Sequence, residues 1–373
     1  TFINAWGNYP FDKIGYVMTP EIYGGMEHAS SIHLSEYFVD GTKNDETLWA
    51  HELSHMWWGD KVTCDKQEEM WLNEGWATFN EHLFTEAVYG KDAYKNSFRK
   101  DHREVLQLAH IEDGNYWAMN NLPHAYTYAS LSVYTKGALV AHTLRNYMGD
   151  NKFFAGCKNY MNSFAYENAN SVNLRDALAS SSGMNMNDFF DGWVFTPGFP
   201  QFSIDSFKIL PNGNNYDIAF FTRQKQKGNN NLYKMNVEIN FTDGVNDTNF
   251  VFLIDNYTNN FSVTLPFSPL MVSVDRNEKM MDAITDFENK ISTPGPKTFP
   301  ETNVSLNVVD TGAGTSLVRM EHHWVAPDGF KDISAPIRLS GYHYWKVDGI
   351  FSNGFLSKAT FIYDGSTPAS LAS

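Results

Sequence analysis

The segment HELSH at residues 51–55 carries the clearest chemical pattern in the chain. On an α-helix, residues four positions apart lie on one face, so His51 and His55 can present their imidazole rings to a single metal ion. Glu52, next to the first histidine, can reach a water molecule at that ion without being a ligand itself. The segment therefore predicts a metal site on a helix, with a carboxylate available for proton transfer.

Glu74, in the segment WLNEGWATF, is the candidate for a third ligand. Eighteen residues separate it from His55, which allows a turn and a second helix packed against the first. Two neutral nitrogens and one carboxylate leave a fourth position open, a pattern typical of catalytic zinc and not of closed structural zinc. We therefore expect one zinc ion per chain, although other divalent ions suit the same donors.

With these residues the sequence resembles the aminopeptidase N family of zinc metallopeptidases, which are gluzincins. The family pattern is HExxH, eighteen residues, and a glutamate within NEG(F/W)A. Upstream, GGMEH at residues 24–28 resembles the family's GxMEN exopeptidase motif. Downstream, YTKGA at residues 134–138 resembles the segment that carries the family's catalytic tyrosine. The motifs stand in the family's order over roughly residues 10–200.

The resemblance implies a role for each matched residue. The metal ligands would be His51, His55 and Glu74. Glu52 would be the general base for the attacking water and then the acid for the departing amine. Tyr134 would donate a hydrogen bond to the oxyanion of the reaction; Tyr126 and Tyr128 compete with it by position alone.

The same resemblance assigns substrate binding to the GGMEH segment. Glu27 would bind the free α-ammonium group of the substrate, and the backbone of Gly24, Gly25 and Met26 would pair with the substrate as an added strand. His28 stands where the family commonly has Asn. Either Glu81 or Asp60 could orient a zinc-bound histidine, and the sequence does not choose between them.

These residues need helices in the first half of the chain to position them. Helical patterns are predicted over residues 44–58, 71–89, 92–109, 131–148, 152–166 and 174–182, with short strands at 15–18 and 31–34. Beyond Thr196–Pro200, short alternating runs separated by Asn- and Gly-rich turns predict β-sandwich structure instead. The segment Thr293–Pro296 is expected to be a linker.

The expected fold class is therefore α+β and multidomain. A thermolysin-like, mostly helical catalytic domain, lacking its N-terminal start, is predicted over residues 1–199. A β-sandwich domain is predicted over 200–290 and a second small β domain over 297–373. The resemblance also implies an N-terminal β domain ahead of the catalytic domain; we do not expect it within these residues, and we expect it to pack on the catalytic domain.

Composition excludes some classes of function. The chain has 28 basic and 43 acidic residues and a net charge of −15, which argues against a surface for nucleic acid. No run approaches the roughly 20 apolar residues that a membrane-spanning helix needs. Two cysteines in this length form no disulfide framework, so Cys64 and Cys157 are expected to be two structural thiols, with a single bridge between them as the alternative.

The leading hypothesis is a zinc aminopeptidase that acts on peptides with a free N-terminus. A thermolysin-like zinc endopeptidase would keep the same metal chemistry without recognising the amine. A decayed, non-catalytic peptidase that presents β domains to a partner is the third alternative. Asn-rich β domains joined to a peptidase suggest an extracytoplasmic place, either periplasmic or secreted.

Overall fold

The computed structural model describes residues 1–20, 24–330 and 338–363. The chain divides into two compact units, Thr1–Pro197 and Gly198–Ser373. In the described residues, the α-helices lie in the first unit and the long strands in the second. The expected α+β class is thus confirmed. The division of the second half at residues 290–297 stays a prediction, and 331–337 and 364–373 of its last domain lie outside the described residues.

The first unit consists of helices around short strands. Its elements are α1 Phe2–Trp6, β1 Tyr16–Thr19, β2 Gly25–Met26, β3 Ile32–Ser35, α2 Glu46–Ser54, β4 Val62–Cys64, α3 Glu74–Tyr89, α4 Lys91–Glu112, α5 Thr135–Met148, α6 Asp150–Ser163, β5 Glu167–Ala169, α7 Ser171–Ser182 and α8 Asn187–Trp193. The predicted helices are all present, with ends shifted by a few residues.

Two of these shifts occur at the candidate site. The helix predicted to begin near Trp71 begins at Glu74, because Gln67–Leu72 forms a 3-10 helix. Asn73 lies between them, and its side chain accepts a hydrogen bond from the backbone N–H of Cys64 at 3.0 Å and donates one to Thr63 Oγ1 at 3.0 Å. These bonds fix the point at which α3 starts, and therefore the position of Glu74.

A three-stranded sheet lies beside α2, in the order β1-β3-β2. β1 runs parallel to β3, whereas β2 pairs antiparallel with it through Gly25 and Met26. β2 is therefore an edge strand, and its outer backbone groups are not used within the sheet. This leaves the Gly25–Met26 backbone able to pair with a further extended segment.

The core of the first unit is aromatic around the helices α2 and α3. The rings of Trp58 and Trp76 stack with their centroids 3.7 Å apart, and Trp76 stacks on Phe153 at 5.8 Å. All three side chains are buried. Their packing joins the segment after α2 to α3 and α6, so these aromatic side chains have a structural role. Both Cys64 and Cys157 are free thiols.

α3 and α5 cross in close contact at two glycines. A Cβ atom built on Gly75 or on Gly137 would lie 2.7 Å from the Cα of the other, which is closer than real Cβ contacts. Only residues without a side chain permit this crossing. Because Glu74 begins α3 and Tyr134 immediately precedes α5, the crossing brings the beginnings of both helices together.

The second unit consists of antiparallel strands. They are β6 Phe199–Asn212, β7 Asn215–Lys227, β8 Met235–Thr242, β9 Asp247–Ile254, β10 Thr258–Leu265, β11 Met271–Val274, β12 Ile284–Ile291, β13 Gly295–Phe299, β14 Val304–Asp310, β15 Ser316–His323, β16 Tyr344–Ile350 and β17 Leu356–Phe361. They form four three-stranded sheets in the orders β10-β7-β6, β11-β8-β9, β12-β15-β16 and β13-β14-β17.

The prediction of a linker at Thr293–Pro296 is wrong for Gly295 and Pro296, which belong to a strand. β13 begins at Gly295 and pairs with β14, Gly295 opposite Val308 and Pro296 opposite Asn307. Pro296 is tolerated there because β13 is an edge strand, and a residue on such a strand can lack its N–H without loss of a hydrogen bond inside the sheet.

Among the described residues, no helix is both long and apolar enough to cross a membrane.

Candidate metal centre

Three side chains converge at the junction of α2 and α3. The Nε2 atoms of His51 and His55 lie 3.2 and 3.3 Å from the same Oε2 atom of Glu74. All three side chains are buried. Donors bound to one tetrahedral zinc ion at about 2.0–2.1 Å stand roughly 3.3 Å apart, so the spacing and the donor types fit zinc.

Each histidine is held from behind through its other ring nitrogen. His51 Nδ1 lies 2.9 Å from Oε1 of Glu81, and His55 Nδ1 lies 2.9 Å from the backbone oxygen of Trp58. With Nδ1 donating to these acceptors, Nε2 of each ring is left as the metal ligand. Of the two candidates from the sequence, Glu81 and not Asp60 is the acceptor for His51, and the Trp58 carbonyl is the acceptor for His55.

The electrostatics of the three residues favour a cation at their centre. Burial opposes a charged imidazole, but the hydrogen bonds and charges of Glu74 and Glu81 outweigh it and raise the pKa of His51 to about 10. Burial is likewise outweighed at His55, where Glu74 raises the pKa to about 9. The pKa of Glu74 is lowered by both histidines in spite of its burial. A divalent ion would take the place of these protons.

Glu52 faces the same centre without joining the three donors. Its side chain is buried, and its Oε2 atom has no hydrogen-bond partner among the described residues. Burial raises the pKa of Glu52 to about 7, against the lowering effect of His51 and His55. A Cβ atom on Gly25 would lie 2.4 Å from Cδ of Glu52, so this carboxylate needs a glycine in β2.

Glu27 follows β2 and belongs to the same group. Donor atoms of Glu27, Glu52 and His55 all lie within 4.8 Å of one another. Met26 is exposed on the edge strand, and a Cβ atom built on Gly24 would lie 4.0 Å from Leu48 on α2. Glu27 and Gly25 of the GGMEH segment therefore lie close to the metal centre.

Tyr134 lies against the first metal ligand. Its ring is nearly parallel to that of His51, with the centroids 6.1 Å apart. Burial, the charges of Glu74 and Glu27, and a hydrogen bond to Glu74 raise the pKa of Tyr134, which keeps the hydroxyl protonated. The ring of Tyr126 instead stacks on Trp117, and Tyr128 is 56% exposed. Of the three competing tyrosines, Tyr134 is the one at the ligands.

Several residues of the site were not found by sequence reasoning. Nothing in the sequence distinguishes the carbonyl of Trp58 as a hydrogen-bond acceptor, since every residue carries one. Gly75 and Gly137 stood in the motifs, but the contact between their helices is a tertiary feature. Asp60 was considered only as a partner for a histidine, and burial raises its pKa to about 7, with His55 opposing and Glu27 adding to the shift.

The sequence profile described as "Peptidase family M1 domain" matches residues 5–193, which is half of the chain. The chain belongs to peptidase family M1. The matched range contains every residue of the metal centre, so the zinc implied by the family coincides with the convergent donors. The resemblance drawn from the motifs is confirmed.

Among relatives of this M1 domain, aminopeptidase N of Lactococcus lactis subsp. lactis is 31% identical over 216 residues, which are 53% of this chain and 25% of that protein. Aminopeptidase M1 of Arabidopsis thaliana is 28% identical over 207 residues, 52% of this chain and 24% of that protein. The chain thus spans about a quarter of these relatives.

One solved structure supports the fold. The crystal structure of Legionella pneumophila aminopeptidase A in complex with aspartic acid matches with a TM-score of 0.55 and 17% identity. The match covers 72% of this chain and 31% of that one. It therefore extends beyond the 5–193 range of the family profile, and at this identity it concerns the fold alone.

Proposed function

We propose that this M1 domain belongs to a zinc aminopeptidase that hydrolyses the first peptide bond of peptides with a free N-terminus, using one zinc ion per chain. The observation that carries the proposal is the position of Glu27. Its carboxylate lies within 4.8 Å of donor atoms of both Glu52 and His55. A negative charge so close to the reacting groups suits a substrate whose ammonium group is next to the bond that is cleaved.

His51, His55 and Glu74 would hold the zinc ion. When bound, zinc supplies a Lewis acid that polarises the carbonyl group of the substrate and lowers the pKa of water. Glu52 would accept the proton of the attacking water on its unpartnered carboxylate and pass it to the departing amine. Its burial and raised pKa of about 7 suit both halves of this transfer.

Tyr134 and the β2 edge would position the substrate. The protonated hydroxyl of Tyr134 would donate a hydrogen bond to the carbonyl oxygen as negative charge develops there. The backbone of Gly24, Gly25 and Met26 would pair with the substrate as an added strand, and Glu27 would bind its α-ammonium group. Together these contacts admit one residue before the cleaved bond.

The test is metal content together with hydrolysis of unblocked and N-acetylated amino-acid amides, comparing the wild type with Glu52→Gln. We expect about one zinc per chain in both proteins, cleavage of unblocked substrates alone, and a loss of about 10²–10⁴-fold in rate for the variant. Cleavage of blocked peptides at internal bonds would replace this proposal with an endopeptidase. Zinc binding without any turnover would indicate a non-catalytic protein.

A further inference from the structure

Lys136 is a buried cationic residue of α5 that the proposed reaction does not use. It is 1% exposed, and its Nζ atom donates a hydrogen bond to the carbonyl oxygen of Trp117 at 2.7 Å. Burial lowers the pKa of Lys136 to about 7, against the opposite effect of the charge of Asp113. Taking an ammonium group out of water is unfavourable, and a methionine would fill a similar volume without that cost. Hydrogen bonding, and not volume, therefore distinguishes this residue from an apolar one.

A second buried charge joins the same two segments in the opposite direction. Asp113 directly follows α4, and its Oδ2 atom accepts a hydrogen bond from the backbone N–H of Ser132 at 2.7 Å. The indole N–H of Trp117 donates to the carbonyl oxygen of Asp113 at 2.8 Å, which closes residues 113–117 into a turn. This turn and the segment 132–136 are thus connected at two points, by a carboxylate from one side and an ammonium group from the other.

Tyr134 lies in the chain between these two points. Its N–H donates to the carbonyl oxygen of Ser130 at 3.2 Å, and its own carbonyl oxygen accepts from the N–H of Ala138 at 3.0 Å. The N–H of Lys136 donates to the carbonyl oxygen of Leu131 at 2.8 Å. Because these backbone bonds overlap along the segment, a shift of Lys136 would be transmitted to Tyr134.

Side-chain packing connects Tyr134 to the same turn. Trp117 and Tyr134 both pack against one buried apolar cluster, which consists of Met70, Leu122 and Val133. The position of the turn therefore affects the tyrosine ring as well as its backbone. An oxyanion donor must lie about 2.7–3.1 Å from the oxygen that becomes charged, and a displacement of about 1 Å can cost about 10²-fold in rate.

We propose that Lys136 is a positioning residue for Tyr134. Its bond to the Trp117 carbonyl, together with the bond from Ser132 to Asp113, holds the start of α5 so that the tyrosine hydroxyl stays beside the metal ligands. The inference rests on the proposed function, in which Tyr134 is the oxyanion donor. Lys136 and Tyr134 then contribute to kcat as one unit, whereas a residue that only stabilises the fold would contribute independently of Tyr134.

The test is a double-mutant cycle between Lys136→Met and Tyr134→Phe, with kcat and KM measured on the unblocked amide that the wild type cleaves fastest. We expect Lys136→Met to lower kcat about 10- to 100-fold with little change in KM, and to have no further effect in the Tyr134→Phe protein. Lys152→Met is the control, because Lys152 is an exposed lysine on α6, and it should leave kcat unchanged in both backgrounds.

Calorimetry adds a measurement that does not depend on turnover. The phosphonic acid analogue of leucine, whose tetrahedral phosphonate carries oxyanions, and 3-methylbutylamine, which is the same molecule without the phosphonate, are titrated into the zinc-loaded proteins. We expect Lys136→Met and Tyr134→Phe each to weaken the phosphonate about 10- to 100-fold, the effect of one hydrogen bond to a charged group, and to leave the amine unchanged.

The outcomes separate this proposal from the proposed function. If the wild type cleaves no unblocked amide, the proposed function fails, and the role of Lys136 fails with it. If the wild type is active but Lys136→Met keeps full kcat, or loses the same factor in the Tyr134→Phe protein, the role of Lys136 is overturned while the aminopeptidase stands. Zinc content and thermal unfolding are measured for every protein, and Lys136→Gln takes the place of Lys136→Met if the latter does not fold.

Discussion

Each histidine of the candidate metal centre has a hydrogen-bond acceptor at its Nδ1 atom. Glu81 holds Nδ1 of His51 at 2.9 Å, and the Trp58 carbonyl holds that of His55 at the same distance. Such acceptors fix the tautomer and the direction of the ring, and a side-chain acceptor can be removed by substitution whereas a carbonyl cannot. Glu81 is therefore the residue through which this orienting effect can be measured.

Glu81→Gln should weaken zinc binding by about 10- to 100-fold, because the amide is a poorer acceptor and does not fix the His51 tautomer. Competition with a chromophoric chelator measures the affinity. Glu68→Gln is the matched control, since Glu68 likewise contacts a histidine, the exposed His124, at 2.8 Å. Equal zinc affinities of the Glu81 and Glu68 variants would show that Glu81 does not orient the ligand.

Tyr134→Phe should lower kcat by about 10²–10³-fold, the usual cost of one oxyanion donor, while zinc content stays unchanged. The hydroxyl is the sole group removed, and the ring stays beside His51. Tyr128→Phe is the control, because Tyr128 is the exposed tyrosine nearby in the sequence. Steady-state kinetics on an unblocked substrate measures kcat for both variants. If Tyr128→Phe lowers kcat while Tyr134→Phe is fully active, Tyr128 and not Tyr134 is the oxyanion donor.

The sequence predicted the role of a residue where its partners lie on the same helix, and failed where they lie elsewhere in the fold. His51, His55 and Glu52 follow from the geometry of one helix, and the structure places all three at one centre. Glu81 could be named only as one of two alternative acceptors, because it reaches His51 across the contact between two helices.

At the scale of elements, the crossing of α3 and α5 connects the metal site to the proposed oxyanion donor. Glu74 and Tyr134 stand at the beginnings of the two helices, one and three residues before the glycines in contact. The sequence predicted both helices but not their contact, because neither Gly75 nor Gly137 is distinguished by periodicity. A Cβ atom on either glycine would lie 2.7 Å from the Cα of the other, so the distance between these helices leaves no room for a methyl group.

Gly137→Ala should destabilise the protein by about 1–3 kcal/mol, the usual cost of overpacking, and should lower activity further by moving Tyr134 away from the metal ligands. Chemical denaturation gives the free energy of unfolding, and kinetics on the folded protein gives the second effect. Gly314→Ala is the control, since a Cβ atom there meets nothing within 4 Å. A variant as stable and active as this control would contradict the close crossing.

At the scale of the whole molecule, sequence pattern separated the helical half from the strand-rich half near residue 197, where the two units meet in the chain. That boundary was predictable because hydrophobic periodicity changes there from helical to alternating. Pairing between strands was not predictable, and a Pro-Gly pair indicated a linker at what is an edge strand. The extracytoplasmic location and the packing of an N-terminal β domain stay predictions.

Because His51, His55 and Glu74, the proposed metal ligands, all belong to the first unit, zinc should stabilise that unit selectively. At free zinc 100-fold above the dissociation constant, binding adds about 2.7 kcal/mol to the native state. Chelation should therefore speed amide hydrogen exchange in α2 and α3 and leave the core strands β14 and β15 unchanged, as measured by mass spectrometry. In His51→Ala, which lacks a ligand, the chelator should have no effect. Equal acceleration in both units would mean that zinc stabilises the second unit as well, and the metal would then have a structural effect beyond the helices that bind it.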